Sequence, residues 1–249
     1  MRAVRGVPRF RCELVSNLLK EVLRRQRKRA YSSDFQVVHF SIQDDHLHLI
    51  VEATAIASDE EAEKMLRKGV SGLAISFARR LNRLVRRKGK VWADRHHRRD
   101  LATPTEVRNT LLYVFQNYRH HGHIAIGTGI LDMYSSACRF DGWLDPHVMF
   151  VEAVPWPDPK PRTWLLRTGW LRGGGPLRTS EVPRSWRTPD RYPTDDVSMT
   201  DDTTAKDRAR AISVSRLPEK RILAVLAPAS FWLRASEQAM AATPLDRGA

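Results

Sequence analysis

Two histidines separated by a single leucine, His46 and His48, lie in the stretch FQVVHFSIQDDHLHLIVEA (35–53). On an extended strand, residues two apart share a face, so both imidazoles project to one side, about 6–7 Å apart. At that spacing they can hold one divalent ion; the alternative is a solvated polar sheet face. Further along, Tyr113 and Asn117 stand four residues apart in NTLLYVFQNYRHHG (109–122), which on a helix puts them on one face. Gln116 and His120 flank that face, and Tyr118 points elsewhere. A phenol is an oxygen nucleophile, and a cation held by neutral ligands keeps its full charge for a substrate anion. A phenol and an amide oxygen projected together towards two histidines make a specific constellation.

Positioning these groups requires a hairpin and a helix. Residues 35–43 and 46–53 read as two strands joined by Asp44-Asp45, which pairs Gln43 with His46 and Ser41 with His48. His46, His48, Ile50 and Glu52 then share one face with His39, while Leu47, Leu49 and Val51 point into a core. The nucleophile helix is predicted over 104–121. Thr103 caps it, Pro104 sits in its first turn and Glu106 completes a capping box. Residues 12–29 read as an amphipathic helix, and a longer one starts near Ser58 and runs to about Arg87, with a bend expected near Gly69 or Gly72. The stretch KGKVWADRHHRRDL (88–101) reads as a short strand and a turn. The order helix, hairpin, helix, strand, helix predicts an α+β fold, with helices packed on an antiparallel sheet.

Past residue 150 the texture changes. Prolines crowd 155–193, and RTWLLRTGWLRGGG (162–175) reads as a short helix docking back through Trp164, Leu165 and Trp170. The expected organisation is a domain over 1–150, a Pro/Trp-rich segment over 151–183 docking on it, and a polar tail over 184–249 without regular structure. Within that tail, 221–240 is apolar enough to fold on something, although Pro228 interrupts it.

The chain has 42 Lys and Arg against 28 Asp and Glu, a formal charge of +14 that favours a polyanionic partner, nucleic acid before an anionic membrane. Cys12 and Cys138 have no metal-knuckle or disulfide-framework spacing. No apolar run approaches the roughly 20 residues a bilayer span requires, and MRAVRGVPRFR is not followed by the apolar core of a signal peptide. A cytoplasmic, nucleoid-associated protein is the expectation.

The segments HLHLIVEA and NTLLYVFQNYRHHG, with RGVPRFR ahead and RRKGKVWADRHHRRDL between, resemble the REP-associated tyrosine transposases of the single-tyrosine HUH superfamily (His, hydrophobe, His). The likeness covers residues 3–122 and extends weakly through FDGW (140–143) and WLLRTGWLRGGG (164–175). It implies a ferredoxin-like or RRM-like sandwich. It also implies Tyr113 as catalytic nucleophile, and His46, His48 and Asn117 as ligands of Mg²⁺ or Mn²⁺. The implied substrate is single-stranded DNA bearing palindromic hairpins, cleaved and rejoined through a 5′-phosphotyrosine. Relatives that exchange tyrosine helices act as homodimers, whereas the REP-associated group also suits monomers.

Between Arg79 and Arg99 there are ten Lys and Arg and one acid, Asp94. Beside the implied site this cluster is expected to contact phosphates, with Arg95, His96, His97, Arg98 and Arg99 foremost, then Arg5, Arg9 and Arg11. Trp92 and Phe115 are candidates for base stacking, weighed against plain core positions. His120, His121 and His123 read as surface histidines at a helix end. The family carries a strand ahead of RGVPRFR, of which only 1–4 are present here, so an exposed sheet edge is expected beside the histidine strand. Two other readings share parts of the pattern: an RRM-like module that binds nucleic acid without cutting it, and a relaxase or replication-initiator nuclease, which usually carries further domains.

Overall fold

The computed structural model describes residues 1–27, 35–54, 59–93, 97–121, 123, 129–145, 159–183 and 220–226. The chain is α+β. Helix α1 (Glu13–Arg27) precedes the hairpin β1 (Phe35–Ile42) and β2 (Leu47–Thr54), followed by α2 (Asp59–Leu84), β3 (His97–Asp100) and α3 (Pro104–His120). Short helical turns at Ser136–Arg139, Trp164–Arg167 (α4) and Gly169–Gly173 come next, and strand β4 (Lys220–Leu226) closes the order. All strand pairs are antiparallel, in the spatial order β1-β2-β4-β3.

The hairpin has the register that its two-residue loop dictates. Ser41 lies opposite His48 and His39 opposite Ile50, and the Gln43 amide donates to the His46 carbonyl at 2.9 Å. A register shift between Val37 and His39 is the one feature of this hairpin not foreseen from spacing. Alternation along β2 divides the core in two. Leu47, Leu49 and Val51 join Phe40, Leu73, Phe77 and the buried face of α1 in one cluster. Ile50 faces the other way, into a cluster with Val107, Leu111, Phe115 and Trp143. Thus α1 and α2 cover the apolar face and α3 covers the face that bears the histidines. Gly69 of α2 lets the Phe35 ring approach, since a Cβ there would stand 2.4 Å from it.

Three expectations change. The histidine face is not solvated, because α3 and residues 129–143 lie over it and bury His39, His46 and His48. The tail is not wholly irregular: residues 220–226 form β4, hydrogen-bonded to β2 on one side and β3 on the other. Within it, ILAVL is apolar and carries the branched side chains that favour strands. Nor is the edge of β2 open. Arg2 bridges to His46 and Ala3 to Trp92, the Met1 amino group donates to the Leu47 carbonyl at 3.0 Å, and the Leu47 amide returns a bond to Met1. Since β4 pairs with β2 as far as Leu49, residues 1–3 and β4 together line the whole of that side.

The segment 159–183 is fastened from both faces. The buried carboxylate of Glu52 accepts from the backbone of Arg162 and Thr163, from the Thr163 hydroxyl and from Gln36. Arg108 of α3 forms a bidentate pair with Glu181, and Arg119 donates to the Thr179 carbonyl. Docking of this segment was expected through tryptophans. Trp170 is buried in the core as expected, while Trp164 is half exposed and stacks under Arg172.

Candidate active site

His46 and His48 are 1% and 0% exposed, their rings 4.8 Å apart centre to centre and nearly perpendicular. Asp45 fixes the first: its Oδ1 lies 2.7 Å from His46 Nδ1, which leaves Nε2 as the nitrogen available to a ligand. His48 has no such anchor, and neither ring nitrogen makes a hydrogen bond.

The capping box expected at the start of α3 is present, with Thr103 Oγ1 accepting from the Glu106 amide and the Glu106 carboxylate accepting from the Thr103 amide. From that anchor the helix carries Tyr113 and Asn117 one turn apart, and its C-cap, His121, follows four residues on. The Tyr113 ring packs edge-on against His48 at 5.4 Å, and the His121 ring lies 5.2 Å from His46. The helix stripe 113–117–121 therefore runs along the strand pair 48–46, with Asn117 between its two contacts. Asn117 is wholly buried, and neither its amide nitrogen nor its amide oxygen has a partner. Tyr113 is only partly buried.

Burial dominates the electrostatics of these side chains. It lowers the pKa of His46 and, well below the ordinary value, that of His48, where proximity to His46, the amino terminus and His121 further disfavours the protonated form. For His46 the Asp45 carboxylate opposes the shift without reversing it. Both imidazoles are therefore neutral at pH 7, the form in which they donate a lone pair. Burial also raises the Tyr113 phenol above its usual value.

An unpartnered polar group inside a protein costs about 1–3 kcal/mol, and the strand and the helix stripe facing it carry two: the His48 imidazole and the Asn117 carboxamide, with no hydrogen bond at any polar side-chain atom of either. Among the described residues no group of three or more His, Cys, Asp or Glu side chains is disposed to hold an ion. A cation here would be held by the two imidazoles with the Asn117 oxygen beside them. Two imidazoles and one amide oxygen make a mixed donor set, the nitrogens suited to transition ions and the oxygen to harder ions such as Mn²⁺ or Mg²⁺.

Other candidates fare unevenly. Arg11 is not a surface contact: its guanidinium is 8% exposed, bidentate on Asp132 at 2.9 Å and bonded to the Ile42 carbonyl at 3.0 Å. Arg9 is 80% exposed and pairs with Asp44, and Arg5 is exposed. Arg98 is engaged with Glu63, and Arg99 lies 3.4 Å from Glu106. Arg95 and His96 lie outside the described residues, and only the backbone of His97 is described, in β3. Phe115 is core. Trp92 packs against Phe10 and Phe77 and donates to the Ala74 carbonyl.

Two residues of the site were not singled out for it from sequence. Asp45 reads as a loop residue until the register puts its carboxylate on His46. His121 reads as a helix-end histidine, yet it stands eight residues from Tyr113, two turns along the same stripe. Compared with family models, with characterised proteins and with solved structures, the chain matches none.

Proposed function

We propose that the chain is a metal-dependent, single-tyrosine DNA strand transferase of the kind its HxH and tyrosine-helix pattern resembles, acting on single-stranded DNA that bears hairpins. The finer description of the fold as an HUH-type, RRM-like sandwich belongs to the same proposal. The observation that carries it is the wholly buried His48 and Asn117, all of whose polar side-chain atoms lack partners, with the partly buried Tyr113 packed on His48 and one turn from Asn117.

In this reading the Tyr113 oxygen attacks the scissile phosphorus. The bond to the 3′ oxygen breaks, the phenol gives up its proton, and the leaving oxygen takes one to become a 3′-OH. The 5′-phosphotyrosine preserves the energy of the phosphodiester, so a second 3′-OH can displace the tyrosine without a nucleotide cofactor. His46, His48 and Asn117 would hold a Mg²⁺ or Mn²⁺ ion, which supplies positive charge to offset that developing on the phosphate oxygens. Asp45 keeps His46 in the tautomer that offers Nε2. Because the resting phenol has a raised pKa, Tyr113 is a poor nucleophile until substrate and cation are in place.

A labelled hairpin-bearing single strand incubated with the protein and Mn²⁺ is expected to give a covalent adduct on a denaturing gel. The adduct should vanish in Tyr113→Phe, and in His46→Ala with DNA binding retained. Binding without an adduct in the wild-type protein would favour the alternative of a non-cutting RRM-like module.

A further inference from the structure

The seven cations between Arg79 and Lys90 include no acid among them, and none forms an ion pair among the described residues. That separates them from the other cationic candidates, since Arg98, Arg99, Arg9 and Arg11 all have carboxylate partners. Arg79 and Arg83 are exposed one turn apart near the end of α2. Arg86 follows at φ 50°, a left-handed conformation normally filled by glycine, while the Arg87 amide bonds to the Asn82 carbonyl at 2.8 Å to close the helix. Arg87 braces the turn through Asn82 Oδ1 and the Lys90 carbonyl, and Gly89 at φ 96° carries the chain back between exposed Lys88 and Lys90.

This hook borders an open groove of about 640 Å³ between α2 and residues 89–93, with Ala74, Ala78 and Trp92 along it and Arg79 and Lys90 among its lining. A helix dipole accounts for cations within the last turn only. It does not account for Lys88 and Lys90 beyond the helix, or for a long cationic side chain where glycine would relieve strain. The groove also has a fixed relation to the candidate site. Trp92 bridges to Ala3, and Arg2 bridges to His46, so only residues 1–3 separate the groove's wall from the histidine strand. Two strand spacings are roughly 10 Å.

We infer that this hook, Arg79, Arg83, Arg86, Lys88 and Lys90, grips the phosphate backbone of the DNA stem on the α2 side of the sheet. The single strand then rounds the edge at 91–93 to reach the histidines on the other side. The inference rests on the strand-transfer reading for the identity of the partner, and it assigns the stem to a face the catalytic residues do not touch.

Binding is measured by fluorescence anisotropy with a fluorescein-labelled DNA hairpin carrying single-stranded flanks, over a range of salt. Replacing Arg79, Arg83, Arg86 and Lys88 together by Gln is expected to weaken binding at least roughly tenfold and to lower the slope of log Kd against log salt by about three to four. Replacing Lys64, Lys68, Arg167 and Arg172 by Gln removes the same charge elsewhere and is expected to change the slope by less than one. Arg86→Gly separates the hook from a structural role: it should raise Tm while weakening DNA binding. Equal slopes for the two four-site variants would overturn the inference, as would loss of binding to phosphatidylserine vesicles by the hook variant with DNA binding intact. If the hook variant binds like wild type and still forms the Tyr113 adduct, the hook assignment fails and the strand-transfer reading stands. If the wild-type protein neither binds the hairpin nor forms an adduct, that reading fails with it.

Discussion

A buried imidazole and a buried carboxamide with no hydrogen-bond partners lower the stability of the fold that contains them, so their presence asks for a ligand that only the native state binds. Asn117→Leu removes two such atoms at nearly constant volume, and it is expected to raise Tm in chelator by the equivalent of about 1–3 kcal/mol. Mn²⁺ should raise Tm of the wild-type protein by mass action and leave that of Asn117→Leu nearly unchanged. Differential scanning calorimetry with and without Mn²⁺ checks both; a destabilised Asn117→Leu in chelator would mean that the amide has a partner in solution. At this scale the sequence was informative about His46, His48, Tyr113 and Asn117, because period two on a strand and period 3.6 on a helix fix which side chains share a face. Arg11 was misread for a physical reason: a basic residue looks the same in sequence whether its partner is a phosphate or Asp132, 121 residues away.

At the scale of elements, α3 carries two jobs on two faces. One stripe lines the candidate site. Arg108, Gln116 and Arg119 hold segment 175–181 through Glu181 and backbone carbonyls, with Gln116 Nε2 donating to Thr179 at 3.1 Å. The hairpin, α1, α2 and α3 were all legible from periodicity, caps and a two-residue turn. Strand β4 was not, since five apolar residues, Ile222 to Leu226, after a long polar stretch carry no sign of which edge will pair with them. Because β4 is paired on both sides over 223–225, a proline there removes a ladder bond. Leu223→Pro, opposite Val51 and Asp100, is therefore expected to cost at least about 1 kcal/mol, or about 2–4 °C in Tm for a chain of this size. An unchanged Tm, together with ready proteolysis of the wild-type chain within 220–226, would remove β4 from the sheet.

For the whole molecule, the buried histidines couple stability to pH. Burial lowers the pKa of His39 to about 3, and those of His46 and His48 are lowered as well. Their folded pKa values lie below the unfolded value near 6.5, so the unfolded chain binds protons first and stability falls as pH drops below 6.5. Each histidine that stays neutral to pH 5.5 contributes about 1.4 kcal/mol to the loss between pH 7.5 and 5.5. Urea unfolding at the two pH values measures it, and His39→Leu should flatten the dependence by one histidine's share. A pH-independent midpoint would contradict the neutral, desolvated histidines on which the candidate site depends. On the same scale, no helix among the described residues is long and apolar enough to cross a membrane.

The central claim, that Tyr113 is the nucleophile of a histidine-lined strand-cleaving centre, is tested most directly by locating the covalent bond. Trypsin would release Asn109–Arg119, a peptide that holds both Tyr113 and Tyr118. Tyr118 serves as an internal control, since it is wholly buried, donates to the Ile130 carbonyl at 2.6 Å and accepts from Arg119 at 2.7 Å. After reaction with hairpin-bearing single-stranded DNA and Mn²⁺, nuclease trimming and fragmentation mass spectrometry should place the nucleotide mass on Tyr113. The nucleotide on Tyr118, or no modified peptide from a protein that binds the same DNA, would contradict the account.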